Sequence, residues 1–380
     1  MAPLRHLFII SGEPSGELHA AGLTQAIKEL DPAIRISAVG TDLLRQAGAE
    51  IFYGIEGLAV IGLFDALKKL PRFIALKNHI LKKIALEKPD AIILVDFSGF
   101  NLRLAKTINK KIPVVYYVSP QVWASRPGRI KTIQKYISKM VVLFKFEQEF
   151  YRRHGVDAEF TGHPLLDIVK PQFSKKEFFR NYNLKEDRPT IALLPGSRRQ
   201  EINKILPVML SASRIIKKEI PETQFIIAKI PQLDWGIYQN KLKEAGLEVK
   251  IVEGKTYDCL NAADFALVCS GTATLETAIL ACPFAVVYKM NLLNFLFYLP
   301  QVKVPYIAMA NIVARKNIVQ EFIQFQATPG KIAREVLRVL KDPAAKEKLH
   351  QELLGVSTLL GEKGASKRAA RTILDFLKKY

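Results

Sequence analysis

Short apolar, β-rich runs alternate with helix-length segments along most of this chain, and the alternation occurs twice. Residues 7–11, 34–39, 91–97, 114–118 and 140–144 read as buried strands separated by stretches with helical spacing. Strands joined through helices pair in parallel and are covered on both faces, because each crossover lays a helix over the sheet. After a polar, charge-rich interval at about 170–188, strand-like runs resume at 191–194, 225–229, 249–252, 265–269 and 284–289. The expected fold class is therefore α/β, with two doubly wound domains facing each other and ligands beyond the carboxyl ends of the strands. A length of 380 residues is long for one core and ordinary for two. The last stretch, 333–380, has helical spacing and should pack against a domain as helices.

Two loops in the second half look like the anion-binding corners of one nucleotide site. Leu194-Pro195-Gly196-Ser197-Arg198 and Ser270-Gly271-Thr272-Ala273-Thr274-Leu275-Glu276 each follow an apolar run and precede a helical pattern. Gly271 permits a tight turn, and amides at the start of the next helix can hold phosphate. Glu276, one turn after Thr272, is suited to accept hydrogen bonds from ribose hydroxyls. Arg198 offers a planar two-pronged donor for phosphate oxygens. The combination suggests a sugar nucleotide. No GxGxxG or GxxxxGK[ST] occurs, which argues against a dinucleotide site or a P-loop.

In the first half, the run Ser11-Gly12-Glu13-Pro14-Ser15-Gly16-Glu17 forms an unusual turn out of strand one. Its bland reading is a helix start with Ser15 as N-cap and Glu17 near the positive helix end. Asp96, after the apolar run 91–95, sits where α/β enzymes place reacting groups and could take a proton from an attacking hydroxyl, although an isolated Asp at a strand end is more often a cap or turn former, here for a helix starting near Asn101. The segment 116–129 is unusually aromatic, basic and polar. His163 is read as structural. Toward the carboxyl end, Asn311 is followed by Glu321 and Gln324, whose three-residue spacing suggests one helix face.

Lys and Arg number 56 against 36 Asp and Glu, a net charge of +20 that should attract an anionic partner. The basic residues form no recognised nucleic-acid module, so nucleic acid is not the expected partner. From residue 66 to 86 there is no acid, while Lys68, Lys69, Arg72, Lys77, Lys82 and Lys83 alternate with apolar residues. Cys259, Cys269 and Cys282 lack the spacing of a disulfide framework or zinc site, which suits a reducing cytoplasm. No secretory signal is visible, and the apolar stretch 290–302 is too short to span a bilayer.

Taken in order, Gly12 to Gly16, Asp96 to Asn101, Tyr117 to Ala124, Gly162 to Leu165, Leu193 to Arg198 with Glu201, Ser270 to Glu276, and Asn311 with Glu321 and Gln324 resemble the lipid-A-disaccharide synthase family of GT-B glycosyltransferases, over nearly the whole chain. The resemblance implies two facing Rossmann-like domains. Residues 1–165 would form an acceptor and membrane-facing domain, and 166–380 a UDP-sugar donor domain whose terminal helices pack back on the first. It implies condensation of UDP-2,3-diacylglucosamine with 2,3-diacylglucosamine 1-phosphate, with inversion and release of UDP, in lipid A (lipopolysaccharide) biosynthesis. No metal or other cofactor is implied.

By the same resemblance, Asp96 matches the general base for the acceptor's 6-hydroxyl and Glu13 an acid beside the acceptor, in the turn with Ser15 and Gly16. Ser197, Arg198, Ser270, Gly271 and Thr272 would hold the leaving diphosphate, and Glu276 the ribose. Asn311, Glu321 and Gln324 would line the donor side. Two positions depart from the family pattern: Glu17, where Asp is usual, and Ser125, where an aromatic residue often precedes Arg126. With acylated substrates, residues 63–84 are expected to touch the inner face of the inner membrane, making the protein cytoplasmic and peripheral.

Overall fold

The computed structural model describes residues 5–55 and 69–380. The chain divides into two compact units. One runs to Asp167 and takes in Gln301–Lys303 and Leu360–Tyr380; the other comprises Ile168–Pro300 and Val304–Leu359.

The first unit holds β1 (His6–Ile10), β2 (Arg35–Gly40), β3 (Glu50–Gly54), β4 (Ala91–Val95), β5 (Val114–Tyr117), β6 (Lys139–Val142) and β7 (Ala158–Phe160) in one parallel sheet of order β3-β2-β1-β4-β5-β6-β7. The second holds β8 (Thr190–Leu194), β9 (Gln224–Lys229), β10 (Lys250–Glu253), β11 (Phe265–Cys269), β12 (Phe284–Tyr288) and β13 (Glu321–Ile323) in the parallel order β10-β9-β8-β11-β12-β13. Every residue of the central strands β1, β4, β8 and β11 is buried, as expected of apolar runs covered on both faces. β3, β7 and β13 were not expected from the sequence. All three are sheet edges, short or only half-buried, and so lack a continuous apolar signature.

Each sheet winds outward in one direction and then in the other. The reversal falls between β1 and β4 in the first unit and between β8 and β11 in the second. At such a switch point the two outgoing loops diverge and leave a crevice at the carboxyl edge. The four loops singled out in the sequence, after residues 10, 95, 194 and 269, all leave these four strands.

The strand expected at 91–97 stops at Val95, because Asp96 and Phe97 both take left-handed backbone at φ +47. The following helix, Ser98–Ile108, starts before Asn101. Of the basic stretch, residues 63–68 lie outside the described residues; the remainder belongs to the helix Leu70–Glu87, which buries Leu76 and Ile80 and leaves Leu70 and Ile74 exposed. The terminal helix Ala365–Lys379 lies in the first unit against the helix Pro14–Leu30. A Cβ at Gly22 would stand 3.0 Å from Ser366 Oγ, so the small residue permits that approach.

Gly12 is equally constrained. A Cβ there would fall 2.2 Å from Cδ1 of Phe97, whose ring is hemmed by Phe73 at 5.8 Å and Phe100 at 5.2 Å between centroids. Gly12→Ala is expected to lower the unfolding free energy by roughly 1–3 kcal/mol through overpacking. Gly99, with open space around its Cβ position, should tolerate alanine without loss. Urea denaturation of the two variants checks the contrast, and equal stability would contradict it.

Candidate active site

At the first switch point the helix Pro14–Leu30 begins directly after Glu13, which occupies the capping position without a side-chain cap bond. Ser15 is therefore inside the first turn and is not the N-cap. The carboxylate of Glu17 accepts the amide of Thr41, which ties this helix to the end of β2. Gly16 faces the neighbouring loop, where an added Cβ would lie 2.9 Å from Cβ of Asp96. The start of the helix and the end of β4 are thus in direct contact.

Asp96 is held in its left-handed conformation from several sides. Its amide donates to the Tyr117 carbonyl at 3.2 Å, and its own carbonyl accepts Asn101 Nδ2 at 2.9 Å and the Tyr116 hydroxyl. Asn101, fully buried, also donates to the carbonyl of Val95 at 3.2 Å and, more weakly, to that of Ile10 at 3.4 Å, and so gathers the ends of β1 and β4. Left-handed backbone outside glycine is uncommon, and for β-branched Val118, at φ +61 after β5, it is an outlier. Three such residues at one sheet edge concentrate strain where the surroundings dictate side-chain aim. Burial, then the nearby negative charge of Glu13, raises the Asp96 carboxyl to about 7.

Beside it, Arg129 donates to Ser98 Oγ at 3.1 Å. The aromatic loop after β5 is anchored from below by Glu147, a buried carboxylate that accepts Ser119 Oγ at 2.7 Å and Trp123 Nε1 at 3.0 Å. The Tyr151 hydroxyl donates to the Pro120 carbonyl at 2.8 Å. His163 is buried against His19 and Phe144, in agreement with a structural role.

At the second switch point Glu201 organises the loop after β8. It accepts the Ser197 amide at 3.0 Å and pairs with Arg198 at 3.1 Å, and a Cβ on Gly196, at φ +119, would fall 2.5 Å from its oxygen. Ser197 is exposed and the Arg198 side chain is 53% exposed, so this ion pair is weak and the guanidinium can turn to an anion. After β11, Gly271 at φ +148 and Thr272 are exposed, while Ser270 Oγ donates to the Ile307 carbonyl at 3.1 Å. Glu276 accepts the Tyr257 hydroxyl at 2.9 Å, and burial raises its pKa.

The expectation for Glu321 and Gln324 is corrected by the structure: they share no helix face. Glu321 opens β13, and Gln324 follows that strand at φ +49. The Glu321 carboxylate accepts the amides of Ile307 at 2.9 Å and Ala308 at 2.9 Å and Nδ2 of Asn311 at 2.9 Å. Asn311, fully buried, accepts the Ile318 and Val319 amides at 2.8 and 2.9 Å and donates to the Val319 carbonyl at 2.8 Å. Gln324 clasps both backbone groups of Met290, at 3.1 and 3.2 Å. These three side chains shape the loops near Ser270. Glu147 and Tyr257 were not singled out in the sequence; nothing in the spacing around a lone Glu or Tyr reveals a buried partner. Among the described residues no group of three or more His, Cys, Asp or Glu side chains is placed to hold a metal ion.

Two doubly wound parallel domains with acidic, basic and glycine-rich loops at their switch points define the GT-B class. Solved structures agree at the level of fold: a UDP-GlcNAc 2-epimerase from Neisseria meningitidis bound to UDP-GlcNAc (TM-score 0.62, 11% identity, covering 99% of this chain and 100% of that one) and the calicheamicin glycosyltransferase CalG4 (TM-score 0.60, 15% identity, 100% and 99%). Within that class the sequence is specific. The lipid-A-disaccharide synthetase family profile matches residues 7–373, and the chain belongs to that family. Lipid-A-disaccharide synthases of Syntrophus aciditrophicus (41% identity over 375 residues, 98% of both chains) and Geobacter sulfurreducens (36% over 374 residues, 98% of this chain and 97% of that one) are among its relatives. The chain is thus a hexosyltransferase of lipid A disaccharide synthesis.

Burial raises the Glu147 carboxyl from 4.5 to about 7. The folded state therefore holds this proton more tightly than the unfolded chain. The stability it contributes is complete below about 4.5 and is lost as pH rises toward 7. Glu147→Gln should remove this dependence. Between pH 4.5 and 8 the variant should gain roughly 3 kcal/mol relative to the parent, whatever its offset at low pH. Urea titrations at several pH values check this; parallel pH profiles would contradict it.

Proposed function

We propose that the enzyme transfers the diacylglucosamine of UDP-2,3-diacylglucosamine to the 6-hydroxyl of 2,3-diacylglucosamine 1-phosphate, in a single inverting displacement that releases UDP. The observation that carries this reading is Asp96, at the first switch point, with a carboxyl poised near neutrality beside Glu13. A base with that pKa is partly ionised at physiological pH and still basic enough to share the hydroxyl proton as the new glycosidic bond forms. Gly16 permits the close approach, Glu13 orients the acceptor, and Ser15 lies in the same turn.

In the second unit, Arg198, the exposed Ser197 side chain and the backbone of Ser270, Gly271 and Thr272 take the negative charge that grows on the departing diphosphate. Preorganised donors of this kind stabilise the transition state more than the ground state. Glu276 accepts the ribose hydroxyls with the valences that Tyr257 leaves open. Asn311, Glu321 and Gln324 act by shaping the donor-side loops. On this reading residues 1–165 form the acceptor domain and 166–380 the donor domain, with the terminal helices returning to the first. The protein works at the cytoplasmic face of the inner membrane, held by basic and apolar residues of 63–84, where Leu70 and Ile74 are exposed. No helix among the described residues is long and apolar enough to cross a membrane.

UDP release in detergent micelles with EDTA tests the reaction. Acceptor-dependent UDP with a disaccharide product is expected, and UDP release without acceptor dependence would contradict it. Because Asp96 must be ionised, kcat/KM should fall about tenfold per pH unit below 7 and level off above it. Asp96→Asn should lower kcat by roughly 10²–10⁴-fold; near-normal turnover would remove Asp96 from the role. For the membrane contact, charge reversal at Lys68, Lys69 and Arg72 should weaken flotation with anionic vesicles, and unchanged flotation would sink that assignment.

A further inference from the structure

The second unit carries an apolar surface that the reaction does not use. In the helix Leu292–Tyr298 and the turn after it, Leu292, Leu293, Leu296 and Leu299 are 48%, 74%, 56% and 53% exposed. Phe325, 71% exposed, meets Phe295 edge-on at 6.1 Å and extends the patch beyond β13. Isolated exposed leucines need no explanation, but a cluster on two turns of one short helix marks a surface for another apolar phase. In the sequence the segment is flanked by Lys289 and Lys303, and no Asp or Glu occurs from residue 277 until Glu321; Lys316, further on, is paired with Glu352.

From this juxtaposition we infer that the Leu292–Leu299 segment with Phe325 is a second membrane-docking element, inserting its leucines at the headgroup boundary of an anionic bilayer. A short helix with exposed leucines flanked in sequence by lysines is a form that interfacial anchors take. A second copy of the chain is the poorer occupant: stable protein interfaces engage about 20–30 residues a side, and this patch offers one short helix and a phenylalanine. The inference extends the peripheral reading from the basic helix of the first unit to the donor unit.

The test uses the full chain and vesicles of phosphatidylglycerol and phosphatidylethanolamine, with phosphatidylcholine vesicles for comparison. Leu293→Trp should show a blue-shifted emission on adding the anionic vesicles and be quenched by brominated acyl chains. Leu293→Ser with Leu296→Ser should reduce partitioning by about tenfold or more, given the transfer free energy of a buried leucine side chain, while turnover in detergent micelles stays unchanged. The element of the first unit is separated by repeating the Trp measurement in the Lys69→Glu, Arg72→Glu background: a persisting blue shift assigns insertion to the second unit independently. An unshifted Trp spectrum with undiminished partitioning of the double Ser variant would overturn the inference. So would a change of sedimentation coefficient on Ser substitution, which would assign the patch to a second copy. A raised KM in micelles with unaltered vesicle binding would likewise overturn it, assigning the patch to the substrate's acyl chains.

Discussion

A parallel sheet cannot be closed by hairpins, so each strand must be re-entered through a helix over one face or the other. Where the winding direction reverses, the two adjacent strands send their chains apart, and their carboxyl ends are left with backbone and side chains facing an open crevice. Both units of this chain contain one such reversal, and the candidate residues Asp96, Ser197, Arg198, Ser270, Gly271 and Thr272 lie on loops leaving those strands. The burial of β1, β4, β8 and β11 makes the platform rigid, and the loops inherit that rigidity at their roots.

The two units fix their loops by related devices. A fully buried asparagine in each gathers backbone groups from separate segments: Asn101 draws together the ends of β1 and β4, and Asn311 binds the loop leading into β13. In each, a carboxylate accepts backbone amides, Glu17 that of Thr41 in the first and Glu321 those of Ile307 and Ala308 in the second. Asn311 is bonded through both amide atoms, whereas Asn101 acts through its amide nitrogen alone, and its Oδ1 has no partner among the described residues; loss of either would leave buried backbone carbonyls unpaired, which is expensive. Arg198 and Glu276 each keep a side-chain partner, Glu201 and Tyr257. Their immediate contacts are few, and Asp96 is left to feel mainly burial and the charge of Glu13.

Much of this was legible in the sequence because a buried parallel strand is a continuous apolar run, and ten of the strands announce themselves in that way. Three of the four edge strands did not: β3 opens with Glu50 and is half-buried, and β7 and β13 are three residues long. The candidate residues stand out in the sequence as motifs at strand ends, yet their surroundings depend on geometry that spacing does not encode. Glu321 and Gln324 suggested a helix face by their separation, whereas the left-handed backbone at Gln324 and the strand at Glu321 turn both toward main-chain groups. Glu147 was invisible because a single glutamate in a charged helix reads as solvated until Ser119 and Trp123 fold over it.

The account separates leaving-group stabilisation in the second unit from proton abstraction in the first, and calorimetric titration of UDP tests that separation most directly. Asp96→Asn should bind UDP as tightly as the parent enzyme, while Arg198→Ala should bind it about 10–100-fold more weakly, the value of a charge-assisted contact to phosphate. Equal loss in both variants, or undiminished binding by Arg198→Ala, would contradict the assignment.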